Sequence, residues 1–248
     1  MRRRQLLALS AGGLTTIAGY TRSDTESPTE KIDAETRAQT DDTEDETEET
    51  EDPVGELTAV GDILDPDGSF SGSGQEVTDT FALDDGFTAF VLEHDGESNF
   101  QIELIDDDSG ETAEFLANEI GTFDGAVGTP IESGTYLMDV NADGDWSIEY
   151  GSPSVSGDFE GPPPASIEGS GPNVWGVLNV AERVTIVGSH DGERNFQVEF
   201  VENSATDFFG TTLIFNEIGE FDGETSEQLD GLGWVIVNAD GNYEISIE

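Results

Sequence analysis

His94-Asp95-Gly96-Glu97-Ser98-Asn99-Phe100-Gln101-Ile102-Glu103 returns 96 residues later as His190-Asp191-Gly192-Glu193-Arg194-Asn195-Phe196-Gln197-Val198-Glu199. In both places an Asp-Gly pair, which accepts turn conformations, leads into an alternation of apolar and polar residues. Phe100, Ile102 and Leu104 alternate with Gln101, Glu103 and Ile105, the period of a strand with one face buried. The stretch Phe87 to Leu92 before it is apolar and β-branched or aromatic in character, so strand, turn and strand follow in order.

Working outward, three further blocks recur at offsets of 96 to 98 residues. Gly72-Ser73-Gly74 with Val77 matches Gly169-Ser170-Gly171 with Val174. Asn118-Glu119-Ile120-Gly121 with Phe123-Asp124-Gly125 matches Asn216-Glu217-Ile218-Gly219 with Phe221-Asp222-Gly223. Val140-Asn141-Ala142-Asp143-Gly144 matches Val237-Asn238-Ala239-Asp240-Gly241. Four blocks in register mean a tandem duplication. Tyr136 to Ala142 and Asp145 to Tyr150 flank Asp143-Gly144 as a hairpin would. No helical stripe of useful length occurs, and seven or eight short strands per copy imply an all-β chain of two tandem β-sandwich, jelly-roll-like domains. The expected divisions are 1–20 signal, 21–53 stalk, 54–152 first repeat and 153–248 second repeat, with Pro162-Pro163-Pro164 stiffening the junction or the first edge of the second copy.

The charge is extreme. Of 248 residues 56 are acidic and 8 basic, a formal net charge of -48. Fourteen of the acidic residues precede Val54, leaving 42 beyond it with only Arg183 and Arg194 to oppose them. A surface of that kind repels itself at about 0.1 M salt, where the Debye length is about 10 Å, and is screened in molar salt, where it is about 3 Å. The composition therefore implies a protein adapted to, and requiring, high salt. Nucleic acid and anionic membrane are excluded as partners by the sign of the field. Cysteine is absent, which removes disulfides, thiolate metal sites and cysteine nucleophiles together.

Arg2-Arg3-Arg4-Gln5-Leu6-Leu7 and the weakly apolar run to Ala18 resemble a twin-arginine export signal, which implies a secreted or cell-surface protein. The run is too short to span a membrane. Ile17-Ala18-Gly19 fits the small-residue pattern of a lipid-attachment site, but Tyr20 stands where the lipid-bearing Cys would be. Cleavage after Ala18 would release the protein, and retention would leave a weak anchor. From Thr21 to Asp52 the chain is nearly all Thr, Ser, Asp and Glu, a composition that cannot repay ordering, so a disordered acidic stalk is expected. No Asn-x-Ser/Thr acceptor for N-glycosylation occurs.

Taken together the blocks resemble a repeat found in twin-arginine-exported proteins of halophilic archaea, with Gly-Ser-Gly, His-x-Gly-x-x-Asn-Phe, Asn-x-x-Gly and a closing Ala-Asp-Gly-x-aromatic hairpin. Phe81-x-Leu83-x-x-Gly86 and Gly134-Thr135-Tyr136-x-Met138-x-Val140 are similar, more distantly, to the accessory β-sandwich domains that accompany secreted peptidases. Neither resemblance implies an activity.

The residues that invite chemistry are His94, Asp95 and Asn99 with His190, Asp191 and Asn195, the only histidines and their companions. A metal or acid/base site would repeat in this way, with Asp95 or Asp191 orienting the ring. A turn would too, with Asp-Gly bending the chain, Asn99 or Asn195 bonding to loop backbone and Phe100 or Phe196 entering the core. One histidine per copy is too few for zinc, so the turn reading is preferred. Asp65-x-Asp67-Gly68, Asp106-Asp107-Asp108 and Asn141-x-Asp143-Gly144-Asp145 offer hard oxygens, but none has the spacing of a helical Ca2+ loop. Hydrolase motifs are missing. Trp146 aligns with Tyr243, Trp175 with Thr78 and Trp234 with Tyr136, which assigns the tryptophans chiefly to packing. The expectation is a non-catalytic structural or adhesive module without catalytic residues, metal or cofactor. A carbohydrate- or cell-wall-binding module and an accessory domain of an exported enzyme complex stand as alternatives, with a glycan or a surface protein as partner.

Overall fold

The computed structural model describes residues 55–155 and 163–248, which belong to one compact unit. The signal, the stalk and the start of the proline stretch lie outside the described residues. In chain order the elements are Gly55–Glu56 (β1), Thr58–Ala59 (β2), a single helical turn Val60–Ile63 (α1), Gly68–Ser73 (β3), Glu76–Val77 (β4), Phe81–Leu83 (β5), Gly86–His94 (β6), Asn99–Asp106 (β7), Thr112–Ile120 (β8), Phe123–Ile131 (β9), Gly134–Ala142 (β10) and Asp145–Gly151 (β11). The second repeat continues with Ala165–Ser170 (β12), Asn173–His190 (β13), Asn195–Glu202 (β14), Thr211–Ile218 (β15), Phe221–Ala239 (β16) and Asn242–Ile247 (β17). The described chain is all-β and sandwich-like, as the alternation of its residues implies.

In the first repeat one sheet runs β3-β11-β6-β9 and the other β4-β10-β7-β8, with β5 also on β10. The apolar half of each alternation points inward. Phe90, Leu92 and Ile148 from one sheet meet Phe100, Ile102, Leu104, Met138 and Val140 from the other, all with no exposed surface. At roughly 1.5–3 kcal/mol per large buried side chain, this core is the main source of stability. The second repeat has the same layers joined into one sheet, β1-β12-β17-β13-β16-β14-β15, because β13 and β16 run unbroken through both. In the first repeat that path is cut at Asp84-Asp85 and Glu132-Ser133, where the Asp85 carboxylate accepts the Ser133 amide and Gly86 takes a φ of +124°. Between the counterparts of Leu83 and Phe87 the second repeat carries only Ala181-Glu182, one residue fewer and without the glycine, so nothing turns the chain and the strand goes on.

The segment Gly55–Ile63, which the sequence places at the start of the first repeat, pairs instead with the second. β1 adds in parallel to β12, β2 pairs with Trp175 and Gly176 of β13, and Val60 is fully buried at the boundary between repeats.

That boundary is apolar and asymmetric. Phe87, Ala89 and Ala126 on the outer face of β6 and β9 pack on Val174, Val201 and Trp234 on the outer face of β13, β14 and β16. Sheet register corrects the alignment of Trp234. Trp234 pairs with Val201 as Leu137 pairs with Ile105, so its counterpart is Leu137 and not Tyr136. A slip of one residue moves a side chain to the opposite face. Tyr136 is therefore inside the first sandwich, whereas Trp234 leaves the second sandwich and enters the first repeat's surface, with no exposed area of its own.

The contact does not continue in either direction. By ladder position Phe87, Ala89 and Ala126 correspond to Arg183, Thr185 and Glu224, so the second repeat's matching face is polar, with Arg183 donating to the Ser226 carbonyl at 3.0 Å. Leu137 and Asp139 occupy the positions of Trp234 and Ile236 on the first repeat's outer face. Neither of these faces carries the set of apolar residues with which the two repeats meet, as in the capping units of repeat arrays.

Candidate functional site

His94 ends β6 and lies under the loop that leads to β7. Its ring is stacked on Phe100, centroids 4.5 Å apart and planes 4° from parallel. Nδ1 meets the Gly121 carbonyl at 2.8 Å, which makes Nδ1 the protonated donor. Nε2 faces the Asp143 carboxylate at 3.5 Å without a hydrogen-bond partner, and the side chain has no solvent-exposed surface. The second repeat reproduces this. His190 stacks on Phe196 at 4.9 Å, its Nδ1 meets the Gly219 carbonyl at 3.0 Å, and Nε2 faces Asp240 at 3.4 Å.

The carboxylates complete a latch between the His loop and the hairpin after β10. Asp143 accepts the amides of Glu97 at 3.2 Å and Ser98 at 3.0 Å, and Asp240 accepts those of Glu193 at 3.1 Å and Arg194 at 3.0 Å. In return Asp95 accepts the Asp145 amide at 2.8 Å, and Asp191 accepts the Asn242 amide at 2.7 Å and its side-chain amide at 2.8 Å. The Ser98 amide chiefly holds Asp143 below the ordinary carboxylate pKa, burial opposing and the Glu97 amide and His94 adding to it. Burial would raise Asp240, but the Arg194 and Glu193 amides and His190 together hold it low. Asp191 is lowered by Asn242, side chain first and then backbone. Gly96 and Gly192 are obligatory, because a Cβ at either would strike the facing carboxylate and the histidine Nε2.

Of the six singled-out residues, His94 and His190 are thus buried beside Asp143 and Asp240, partners that sequence spacing did not pair with them. The carbonyls of Gly121 and Gly219 orient the rings in place of Asp95 and Asp191, which are turned to hairpin backbone. The loop amides are held by the same distant carboxylates in place of Asn99 and Asn195, whose positions begin β7 and β14. The signal that could have found the partners was the recurrence of Asn-Ala-Asp-Gly after the His block in both repeats, at separations that differ by a single residue.

The other carboxylate stretches behave likewise: Asp67 accepts the Ser152 amide at 3.3 Å and Asp106 the Ser109 amide at 2.7 Å. Among the described residues no three His, Cys, Asp or Glu side chains converge as a metal site would require. All three tryptophans are buried, with Trp146 donating to the Gly74 carbonyl at 3.1 Å, Trp175 to the Tyr243 hydroxyl at 3.0 Å and Trp234 to Asn203 at 2.9 Å.

A concave surface does exist where the repeats meet. Two adjoining clefts of about 510 and 680 Å³ share Glu119, Phe123, Asn195 and Asn238. One wall is β8 and β9 of the first repeat; the other is the outer face of β14 and β16. Burial pushes the Glu119 carboxyl up, Arg194 opposing and Asp240 reinforcing the shift. No described helix is long and apolar enough to cross a membrane.

In sequence, no known protein family and no curated protein matches this chain.

Proposed function

We propose that this chain is a non-catalytic structural or adhesive module, exported through its twin-arginine segment, carried on the acidic stalk, and working in a hypersaline medium as the repeat of halophilic archaea does. The observation that supports this reading best is the use of the duplicated polar residues. His94 with Asp143, and His190 with Asp240, occupy themselves in closing loops, and both histidines are sealed from solvent. A general acid or base needs access to substrate, which these rings lack. Two experiments test the proposal. Purified protein in molar salt should adhere to envelope material from a salt-adapted cell without turning over peptide, ester or glycoside substrates, and steady turnover would overturn it. At about 0.1 M salt, where screening weakens, circular dichroism should report loss of β-structure, and an unchanged spectrum would contradict the high-salt element.

A second reading, a carbohydrate-binding module, draws support from the polar cleft between the repeats. The burial of all three tryptophans moves that reading away from tryptophan stacking and toward the cleft.

A further inference from the structure

We infer that the cleft between the repeats is a binding site for a neutral oligosaccharide, an inference that rests on the adhesive reading and names its ligand. The outer face of β14 and β16 presents a row of amides, with Gln197 directly opposite Asn238 in the ladder and Asn195 two residues before Gln197. These three line the clefts together with Glu119 and Glu199; Gln197 donates to Glu199 at 2.9 Å, which fixes its amide plane, and the Asn195 and Asn238 amides beside it offer donors and acceptors of the kind that take paired hydroxyl groups. Ile120 and Ile218, at the same position in the two repeats, both border the larger cleft and are 74% and 81% exposed. Two bare apolar side chains bordering one polar cleft offer the kind of surface that the C–H face of a pyranose ring covers.

Charge narrows the class. Arg194, one of two arginines after Val54, lines the larger cleft and forms no ion pair among the described residues, while Arg183 is taken up by the Ser226 carbonyl. Its guanidinium supplies donors that the carboxylates around it cannot. Glu119, Glu193 and Asp240 nevertheless keep the cleft net acidic, which rejects anionic ligands. In molar salt, recognition by charge alone is screened within about 3 Å, and short neutral hydrogen bonds and apolar contact remain. A volume of about 680 Å³ is of the size of small-ligand pockets, and the adjoining 510 Å³ extends it along the repeat boundary for further rings.

The test is titration of the whole chain, in about 2 M KCl where long-range charge effects are suppressed, with cellotriose, mannotriose, xylotriose and chitotriose, followed by calorimetry and amide NMR. One of these should bind, shifting resonances of Asn195, Gln197, Asn238 and the two isoleucines. Asn195→Ala with Asn238→Ala should weaken binding at least about tenfold, the loss of one or two hydrogen bonds. Asn99→Ala with Asn141→Ala, the equivalent positions outside the cleft, should leave it unchanged, and thermal melts of both variants confirm that each is folded. Silence of all four sugars, or equal binding by the Asn195/Asn238 variant, overturns the inference. If adhesion to envelope material also persists in that variant, the cleft is excluded while the adhesive reading stands; if the parent chain does not adhere, the reading itself falls.

Discussion

Phe87 and Trp234, one from each repeat, lie face to face with ring centroids 5.4 Å apart and planes 10° from parallel. The pair is the centre of the contact that makes two sandwiches one compact unit, since both rings are buried and both counterparts in the other repeat are replaced, Phe87 by Arg183 and Trp234 by Leu137. Truncation should be severe. Trp234→Ala is expected to lower the free energy of unfolding by about 3–5 kcal/mol, a value typical of large aromatic deletions, and Trp234→Phe by less. Chemical unfolding in molar salt measures both, and a loss under about 1 kcal/mol for Trp234→Ala would show that this contact contributes little.

The latch makes its own prediction through glycine. A Cβ on Gly96 or Gly192 meets the Asp carboxylate, the His Nε2 and its neighbouring carbon, none of which can withdraw without opening the loop. Gly96→Ala and Gly192→Ala should therefore each cost more than about 2 kcal/mol, in the range of overpacking. Gly110→Ala is the control, because Gly110 has a φ of +71° but nothing within 4 Å, so only the backbone term of about 1 kcal/mol applies. Thermal melts that rank the three variants equally would remove the steric argument.

Acid should act on the same loops. Asp143, Asp191 and Asp240 have folded pKa values below their ordinary ones. Each therefore contributes stability that is full above the unfolded value of about 3.9 and is lost as pH falls through the depressed folded value. Melting temperature is expected to be level above about pH 5 and to drop below about pH 4. Asp143→Asn with Asp240→Asn should start lower and drop less, and a parallel drop in parent and variant would assign the acid sensitivity to other groups.

At the alkaline end burial raises the phenols of Tyr136, Tyr150 and, most strongly, Tyr243. Burial carries the Tyr243 phenol, the hydrogen bond from Trp175 opposing, to about 12. The sign is opposite to that of the aspartates: stability is full below the unfolded value of about 10 and is lost as pH rises from there to the folded value. Tyr243→Phe should flatten the alkaline limb of the melting profile while lowering stability at neutral pH, because Trp175 Nε1 loses its acceptor at 3.0 Å. An unchanged alkaline limb would mean that Tyr243 does not control it.

The strands were legible because burial follows the period of two, as at Phe100, Ile102 and Leu104. Duplication was legible because its blocks mark turns, where residue type is most constrained. What escaped the sequence was non-local. The 98-residue offset of the preceding block sets Trp234 opposite Tyr136, yet the ladder aligns Gly231 with Gly134, an offset of 97, and turns the indole outward. Asp143 lies 49 residues from His94, so nothing local announced the pair. The pairing of β1 and β2 with the second repeat depends on which sheet edge is open, a property of the assembled fold. The cleft likewise exists only once two outer faces have met.

Whether the two outward faces end the stack at two repeats can be tested by exchanging their residues. The first repeat's plug is Phe87, Ala89 and Ala126, and the second repeat has Arg183, Thr185 and Glu224 in those places. Arg183→Phe, Thr185→Ala and Glu224→Ala together should recreate a plug on the far face of the second repeat. Leu137→Trp with Asp139→Ile should recreate a socket on the first. A heterologous contact that does not close on itself propagates, so a chain carrying both sets is expected to form concentration-dependent head-to-tail oligomers in sedimentation experiments at molar salt. Either set by itself should leave the sedimentation of the parent chain unchanged, since a plug without a socket has no apolar face to enter. If the double set also sediments as the parent does, the polar replacements are not what ends the array, and the geometry of the boundary, with Val60 wedged into it, must be the cause.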